Sequence, residues 1–298
     1  MATAVDTPAR TKPNRPALTW AVSYGCLRLW FATGHAPQWK LPGRDLLVPD
    51  WIAVLGCVVT VAAVIALSRL PRSRLLIRSL WVLAAGWVAA AAFALLDLVA
   101  GVLPGMGIPF DPLGMLSRFA ALGGAALLGA TALSYQRRLD PTCLRCTGLP
   151  RPATTPHWPA WLAVGGCLTR LAAQAVVGSG TMPADRNLAR IIFEGGFVLA
   201  GIALPLLLVY RAGRIFPRWM LLVPGVGLGA GITAYFGVGL LQMTANVLQG
   251  KPGYDDIGLP QAFFWVAVPA YLVWGIGLGL AAYGYYLRTR KPCKGCGR

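Results

Sequence analysis

WAVSYGCL, from Trp20 to Leu27, returns as WLAVGGCL, from Trp161 to Leu168, and that return decides the fold. Trp20, Gly25, Cys26, Leu27 and Pro42 recur at one constant offset as Trp161, Gly166, Cys167, Leu168 and Pro183. Further on, Asp97-Leu98-Val99-Ala100-Gly101 is echoed by Asn246-Val247-Leu248-Gln249-Gly250. Each half then closes with an aromatic residue, a basic cluster and a C-x-x-C pair, Cys143/Cys146 in the first and Cys293/Cys296 in the second. A repeat period near half the chain predicts one membrane unit, duplicated and fused.

The composition fits. Of 298 residues, 56% are hydrophobic and only 12% charged, and the mean hydropathy is +0.60. Soluble domains carry about twice that charged fraction. Several apolar runs reach the roughly 20 residues that cross a bilayer, and they are apolar all round rather than on one face. Eight spans are expected, near 17–34, 51–67, 80–103, 112–135, 158–178, 191–210, 219–248 and 261–286. The fold class is therefore all-α: a polytopic membrane protein whose eight transmembrane helices form two tandem four-helix repeats. Four spans per repeat is an even number, so both copies enter the bilayer in one orientation and their pseudo-twofold axis runs along the membrane normal. Residues 1–16 form a cytoplasmic tail and 17–148 the first repeat with its cysteine knuckle. Residues 149–157 are a cytoplasmic linker, and 158–298 are the second repeat with its own knuckle.

The net charge of +17 invites a nucleic-acid reading, but its distribution argues against one. Arg10, Lys12 and Arg15, then Arg69 to Arg78, Arg137 to Arg151, Arg211 to Arg218, and Arg288 to Arg298 occupy alternate connections. The opposite connections hold few bases and most of the acids: Asp45, Asp50, Asp111, Asp185, Asp255 and Asp256. This positive-inside asymmetry places both termini in the cytoplasm, and the basic loops are expected to attract anionic lipid headgroups. No basic domain stands free of the membrane to grip nucleic acid. The first 16 residues are polar and run into a span carrying Arg28 without a small-x-small cleavage site, so no cleavable signal is expected. Heavy use of Ala, Gly, Pro and Arg suits a high-GC bacterial source and a plasma-membrane location.

Ionisable side chains inside spans are costly, and this chain places several at a common depth. Arg28, Asp97, Arg118, Arg170 and Glu194 all fall about 6–12 Å below the external surface at 1.5 Å per helical residue. Asn246 sits at roughly the repeat-equivalent place of Asp97. One reading makes this layer an outward-opening polar site, with the arginines contacting an anionic small molecule and Asp97 and Glu194 as their partners. The other makes Arg28–Asp97 and Arg170–Glu194 buried ion pairs that lock helices together.

Each C-x-x-C places two thiolates on one tight turn, and two such turns supply the four ligands of a structural zinc ion. Cys143, Cys146, Cys293 and Cys296 are thus a candidate four-cysteine zinc clasp at the cytoplasmic surface. A redox dithiol is the rival, although the reducing cytosol disfavours a stable disulfide. Covalent haem is excluded at motif level, since His follows neither pair. Cys26, Cys57 and Cys167 lie within spans and are expected to be buried, neutral thiols. Glycines of the span 219–248, with Gly275, Gly279, Gly123, Gly124 and Gly129, are expected at helix contacts rather than in a phosphate loop.

No catalytic signature appears: no HExxH, Walker or Rossmann motif and no Ser/His/Asp arrangement. The leading expectation is a non-enzymatic small transporter or ligand-binding, permease-like protein. The alternatives are a membrane scaffold or assembly factor that recruits a cytosolic protein or lipid, and a membrane thiol-disulfide oxidoreductase.

Overall fold

The computed structural model describes residues 14–40, 45–70, 73–102, 109–139, 156–177, 188–254 and 259–290. Among them the chain is helical, with no strand. Helices α1 (Arg15–Trp30), α2 (Asp50–Arg69), α3 (Arg74–Ala90), α4 (Ala94–Val102) and α5 (Pro112–Leu139) make up the first half. The second half holds α6 (Trp158–Val177), α7 (Leu188–Val198), α8 (Leu204–Val209), α9 (Arg218–Leu248) and α10 (Gln261–Thr289). The described parts of the eight apolar segments expected from the sequence lie mostly on these helices.

Among the described residues six stretches are long and apolar enough to cross a membrane: Asp50–Arg69, Pro112–Arg137, Trp158–Val177, Ile191–Val209, Arg218–Leu248 and Gln261–Thr289. α3 and α4 form a bent pair that makes a seventh if taken as one span. Large apolar side chains such as Leu55, Val82, Val223 and Leu241 are well exposed on these helices. That is the surface expected of a multi-pass membrane protein, because only lipid covers so much apolar area without cost. α1 has 16 residues, about 24 Å of helix, and is continued by a π-turn over Phe31–His35 that ends at Gly34, φ +96°.

Local chemistry sets the helix ends. Pro16 opens α1, where a missing N–H costs nothing. Ser73 caps α3 by accepting the Leu76 N–H at 3.4 Å. Asp111 precedes Pro112 and accepts the Gly114 N–H at 3.1 Å, capping α5. Between α7 and α8, Leu199–Ala203 forms a π-turn just before Pro205. A proline there would clash with the carbonyl four residues back, and the widened turn makes room for it.

The described residues group into two compact units, one drawn from Met1–Ala91 and Asp111–Leu149, the other from Ala92–Phe110 and Pro150–Lys291. In the first, α1 packs on α2 and α5, and α3 packs on α2 and α5. Its core runs from Ala17 and Tyr24 through Leu67, Leu80 and Trp87 to Leu128 and Tyr135. In the second, α6 packs on α8 and α10, and α9 packs on α8 and α10, with α4 laid along α9. In both units the first and third helices each touch the second and the fourth, counting the α7–α8 segment as second, but only in the second unit does the second helix also pack well on the fourth, α8 on α10.

Glycine packing is concentrated in the second unit. A Cβ at Gly229 would stand 2.7 Å from the Gly279 nitrogen, and one at Gly275 would stand 2.7 Å from the Thr233 nitrogen, so α9 and α10 approach backbone to backbone. Gly166 approaches Ala270 and Trp274 of α10 in the same way. Its repeat counterpart Gly25 faces Cys57 of α2 instead, so the matching glycines serve different contacts. The matching cysteines part as well: Cys167 is fully buried, as is Cys57, but Cys26 is exposed, which corrects the expectation for Cys26. Gly123 and Gly227 have open space around them and serve no packing contact.

Candidate functional site

The two units treat their in-span arginines differently. In the first, Arg28 is wholly buried on α1. Its Nη1 donates to Asp50 Oδ1 at 2.9 Å. Its Nη2 contacts Asp45 Oδ2, Tyr24 Oη at 2.6 Å and Ser117 Oγ at 2.5 Å. The Ser117 hydroxyl donates to Asp45 Oδ2 at 2.6 Å, and the Tyr24 hydroxyl donates to the Ser117 carbonyl at 3.1 Å. Arg118, also wholly buried, donates through Nε to the Asp45 main-chain oxygen at 2.5 Å. Next to it, Asp111 accepts the Lys40 N–H at 3.0 Å.

The outcome is a clasp. Residues Asp45–Val48 are pulled onto α1 and α5 by charge-assisted bonds, and Leu47 donates to the Ala90 carbonyl at the end of α3. Of the Arg28 nitrogens only Nε lacks a hydrogen bond. Burial alone would raise the Asp45 carboxyl, but the hydrogen bond and charge of Arg28, with the Ser117 hydroxyl and Leu46 N–H, outweigh it and hold the pKa below the ordinary value. Two carboxylates facing one guanidinium, enclosed and hydrogen-bonded, leave little with which to receive an anion.

In the second unit Arg170 is only partly buried on α6. Its Nε donates to Tyr271 Oη of α10 at 2.7 Å, and its guanidinium carbon lies 5.4 Å from the Phe197 ring centre and 5.5 Å from that of Tyr271. Phe236 stacks on Tyr271 at 3.9 Å, and Trp274 packs edge-on to Phe197 at 4.7 Å. Among the described residues no carboxylate pairs with Arg170. Trp274, almost fully buried in the same aromatic cluster, has an indole N–H without an acceptor. Among the described residues this cation is held only by aromatic faces and one phenol.

The remaining expected layer residues fall in several places. Asp97 is wholly buried on α4. Glu194 is exposed on α7. Asn246 serves the turn after α9: its amide donates to the Gly253 carbonyl at 3.4 Å, and its main-chain oxygen accepts the Lys251 N–H at 2.9 Å. Gly250, at φ +73°, provides the left-handed residue that this helix ending requires. Asp45, Asp50, Ser117, Tyr24, Tyr271 and Phe197 were not singled out as site residues from the sequence. Asp45 and Asp50 read there only as acids on the thinly charged side. Their value depends on a loop folding back, which no periodicity encodes.

Cys143, Cys146, Cys293 and Cys296 lie outside the described residues. Among the described residues no group of three or more His, Cys, Asp or Glu side chains is arranged to hold a metal. An apolar groove of about 470 Å³ runs between α6 and α10, lined by Trp161, Gly165, Gly166, Thr169, Trp265 and Pro269, and does not include Arg170. No protein-family model matches the chain, and no curated protein or solved structure matches it.

Proposed function

We propose that the protein is a non-catalytic, ligand-binding membrane protein of the permease kind, and that its ligand carries a carboxylate or phosphate that reaches Arg170. One observation carries this reading. Arg28 is neutralised by Asp45 and Asp50, whereas Arg170 has only Tyr271, Phe197 and their aromatic neighbours among the described residues. The anion completes a cation that no carboxylate among the described residues balances, and the unsatisfied Trp274 N–H adds a donor to the same cluster.

The wider frame is eight spans in two tandem repeats, with both termini cytoplasmic in a bacterial plasma membrane. The first-and-third to second-and-fourth packing that the two units have in common supports the repeat. The π-turn that lengthens α1 supports an eighth span, and the alternation of basic loops supports the sidedness. A zinc clasp of Cys143, Cys146, Cys293 and Cys296 belongs to this proposal as the tie between repeats. A scaffold that recruits a partner without binding a small molecule is the second reading, favoured by the commitment of Arg28 to structure.

Thermal unfolding of the detergent-purified protein separates the two. Inorganic phosphate, acetate and succinate are titrated against the wild type and Arg170→Gln. Binding at a hundred times the dissociation constant stabilises by about 2.7 kcal/mol. A rise in Tm with at least one of these anions, lost in Arg170→Gln, supports the ligand reading. No rise with any of them, or one that persists in the variant, favours the scaffold.

A further inference from the structure

The first unit carries a second charged feature, which the Arg170 reading does not use. Where α3 begins and α5 ends, Arg74, Arg78, Ile77, Gln136 and Leu139 line a cavity of about 310 Å³. That volume lies at the small end of ordinary ligand sites. Arg74 and Arg78 are one helical turn apart on the same face of α3, both exposed, and no carboxylate among the described residues pairs with either. Ile77, 2% exposed, contributes an apolar wall.

Among the described residues no acid offsets this charge. Helix N-termini carry partial positive charge and favour acidic residues, yet the first turn of α3 has no acid and starts with Arg74. Two guanidiniums and a helix N-terminus therefore add their potentials at one small cavity, beside Gln136, whose amide can donate a hydrogen bond. A compact, multiply accepting anion removes the repulsion, and phosphate oxygens suit guanidinium donors in geometry and charge. The basic-loop asymmetry assigns this end of the unit to the cytoplasmic leaflet, where the anions at hand are lipid headgroups and soluble phosphate.

We propose that the Arg74–Arg78–Gln136 cavity binds a phosphate group at the cytoplasmic membrane boundary. The apolar wall of Ile77 and Leu139 favours a phospholipid headgroup, whose glycerol and first methylenes would rest there. The site is independent of Arg170 and stands or falls separately.

The test uses the full chain, purified in detergent and relipidated, as wild type, Arg74→Gln/Arg78→Gln and the control Arg69→Gln. Arg69 is exposed at the end of α2 and does not line the cavity. Native mass spectrometry reads retained phosphatidylglycerol against phosphatidylcholine, and a parallel titration uses inorganic phosphate alone. A basic residue near an anionic membrane surface contributes about fivefold in affinity wherever it stands, so Arg69→Gln should lose about that much and no more. The double variant loses two surface charges and the guanidinium–phosphate hydrogen bonds as well, so its loss in phosphatidylglycerol retention should exceed the roughly thirtyfold of two surface charges. Preferential retention of phosphatidylglycerol, lost in the double variant, assigns the site to a headgroup. Protection by inorganic phosphate with no lipid preference, also lost in the double variant, assigns it to free phosphate. Equal losses in Arg69→Gln and the double variant, or no loss in either, would overturn the proposal, and matched Tm values confirm that the variants are folded.

Discussion

Arg28 of α1 and Asp45, in the segment leading to α2, form a charge-assisted ion pair with 0% and 4% of their surfaces exposed. Ser117 of α5 bridges the same two side chains. Removing one member of a buried pair strands the other, at about 3–5 kcal/mol. Arg28→Ala is therefore expected to lower Tm sharply in detergent and reduce folded yield, because Asp45 and Asp50 both lose their counter-ion. Replacing the group together with apolar residues of similar size, as in Arg28→Met/Asp45→Leu/Asp50→Leu, should recover much of that loss. A triple variant no better than Arg28→Ala would show that the clasp is not an ion pair in function.

The depressed pKa of Asp45 fixes a pH dependence and its sign. An unfolded carboxyl titrates near 3.9 and the folded one below that. The folded state thus binds fewer protons, so this stabilisation is complete above the unfolded pKa and is lost as pH falls through the folded pKa. Melts between pH 7 and pH 3 should show an acid limb that begins below about pH 4. Asp45→Asn should be less stable at neutral pH and should lack most of that limb. An unchanged limb would assign it to other acids.

Helix contact in the second unit rests on single atoms. Gly229→Leu forces a side chain into the Gly279 backbone, which has no flexible end to swing away, and overpacking of this kind costs about 1–3 kcal/mol. Gly227→Ala, two residues away on the same helix, meets nothing within 4 Å and should leave Tm unchanged. Equal effects at both positions would contradict the α9–α10 packing.

For the cysteine knuckles, the expected outcome is one zinc ion per chain by elemental analysis. Cys143→Ser or Cys293→Ser should release it, since neither pair alone completes four thiolate ligands. A chain free of zinc whose thiols cycle with a disulfide at cellular potentials would instead support redox work.

How far the sequence carries the fold is clearest at particular residues. Hydropathy alone placed α2, α5, α6, α9 and α10, because in a bilayer the apolar run is the helix. It did not show the break over Ala91–Phe93, where the run of alanines holds neither proline nor glycine and nothing local marks a bend. Arg28, Arg118 and Arg170 stood out from the sequence as charges in apolar runs. What distinguishes them did not, because it lies in tertiary partners: a folded-back Asp45 for Arg28, and two aromatic rings from distant helices for Arg170. Asp111 read from the sequence only as one of the acids on the thinly charged side, whereas in the fold it caps α5 and also accepts the Lys40 N–H.

In the proposed topology the helices cross the bilayer an even number of times, with both cysteine tails inside. An impermeant maleimide applied to intact cells tests this directly, using single-cysteine chains that carry His35→Cys, Lys251→Cys, native Cys143 or native Cys293. The account predicts labelling at 35 and 251 in intact cells, and at 143 and 293 only after permeabilisation. Labelling of Cys143 and Cys293 from opposite sides would contradict it.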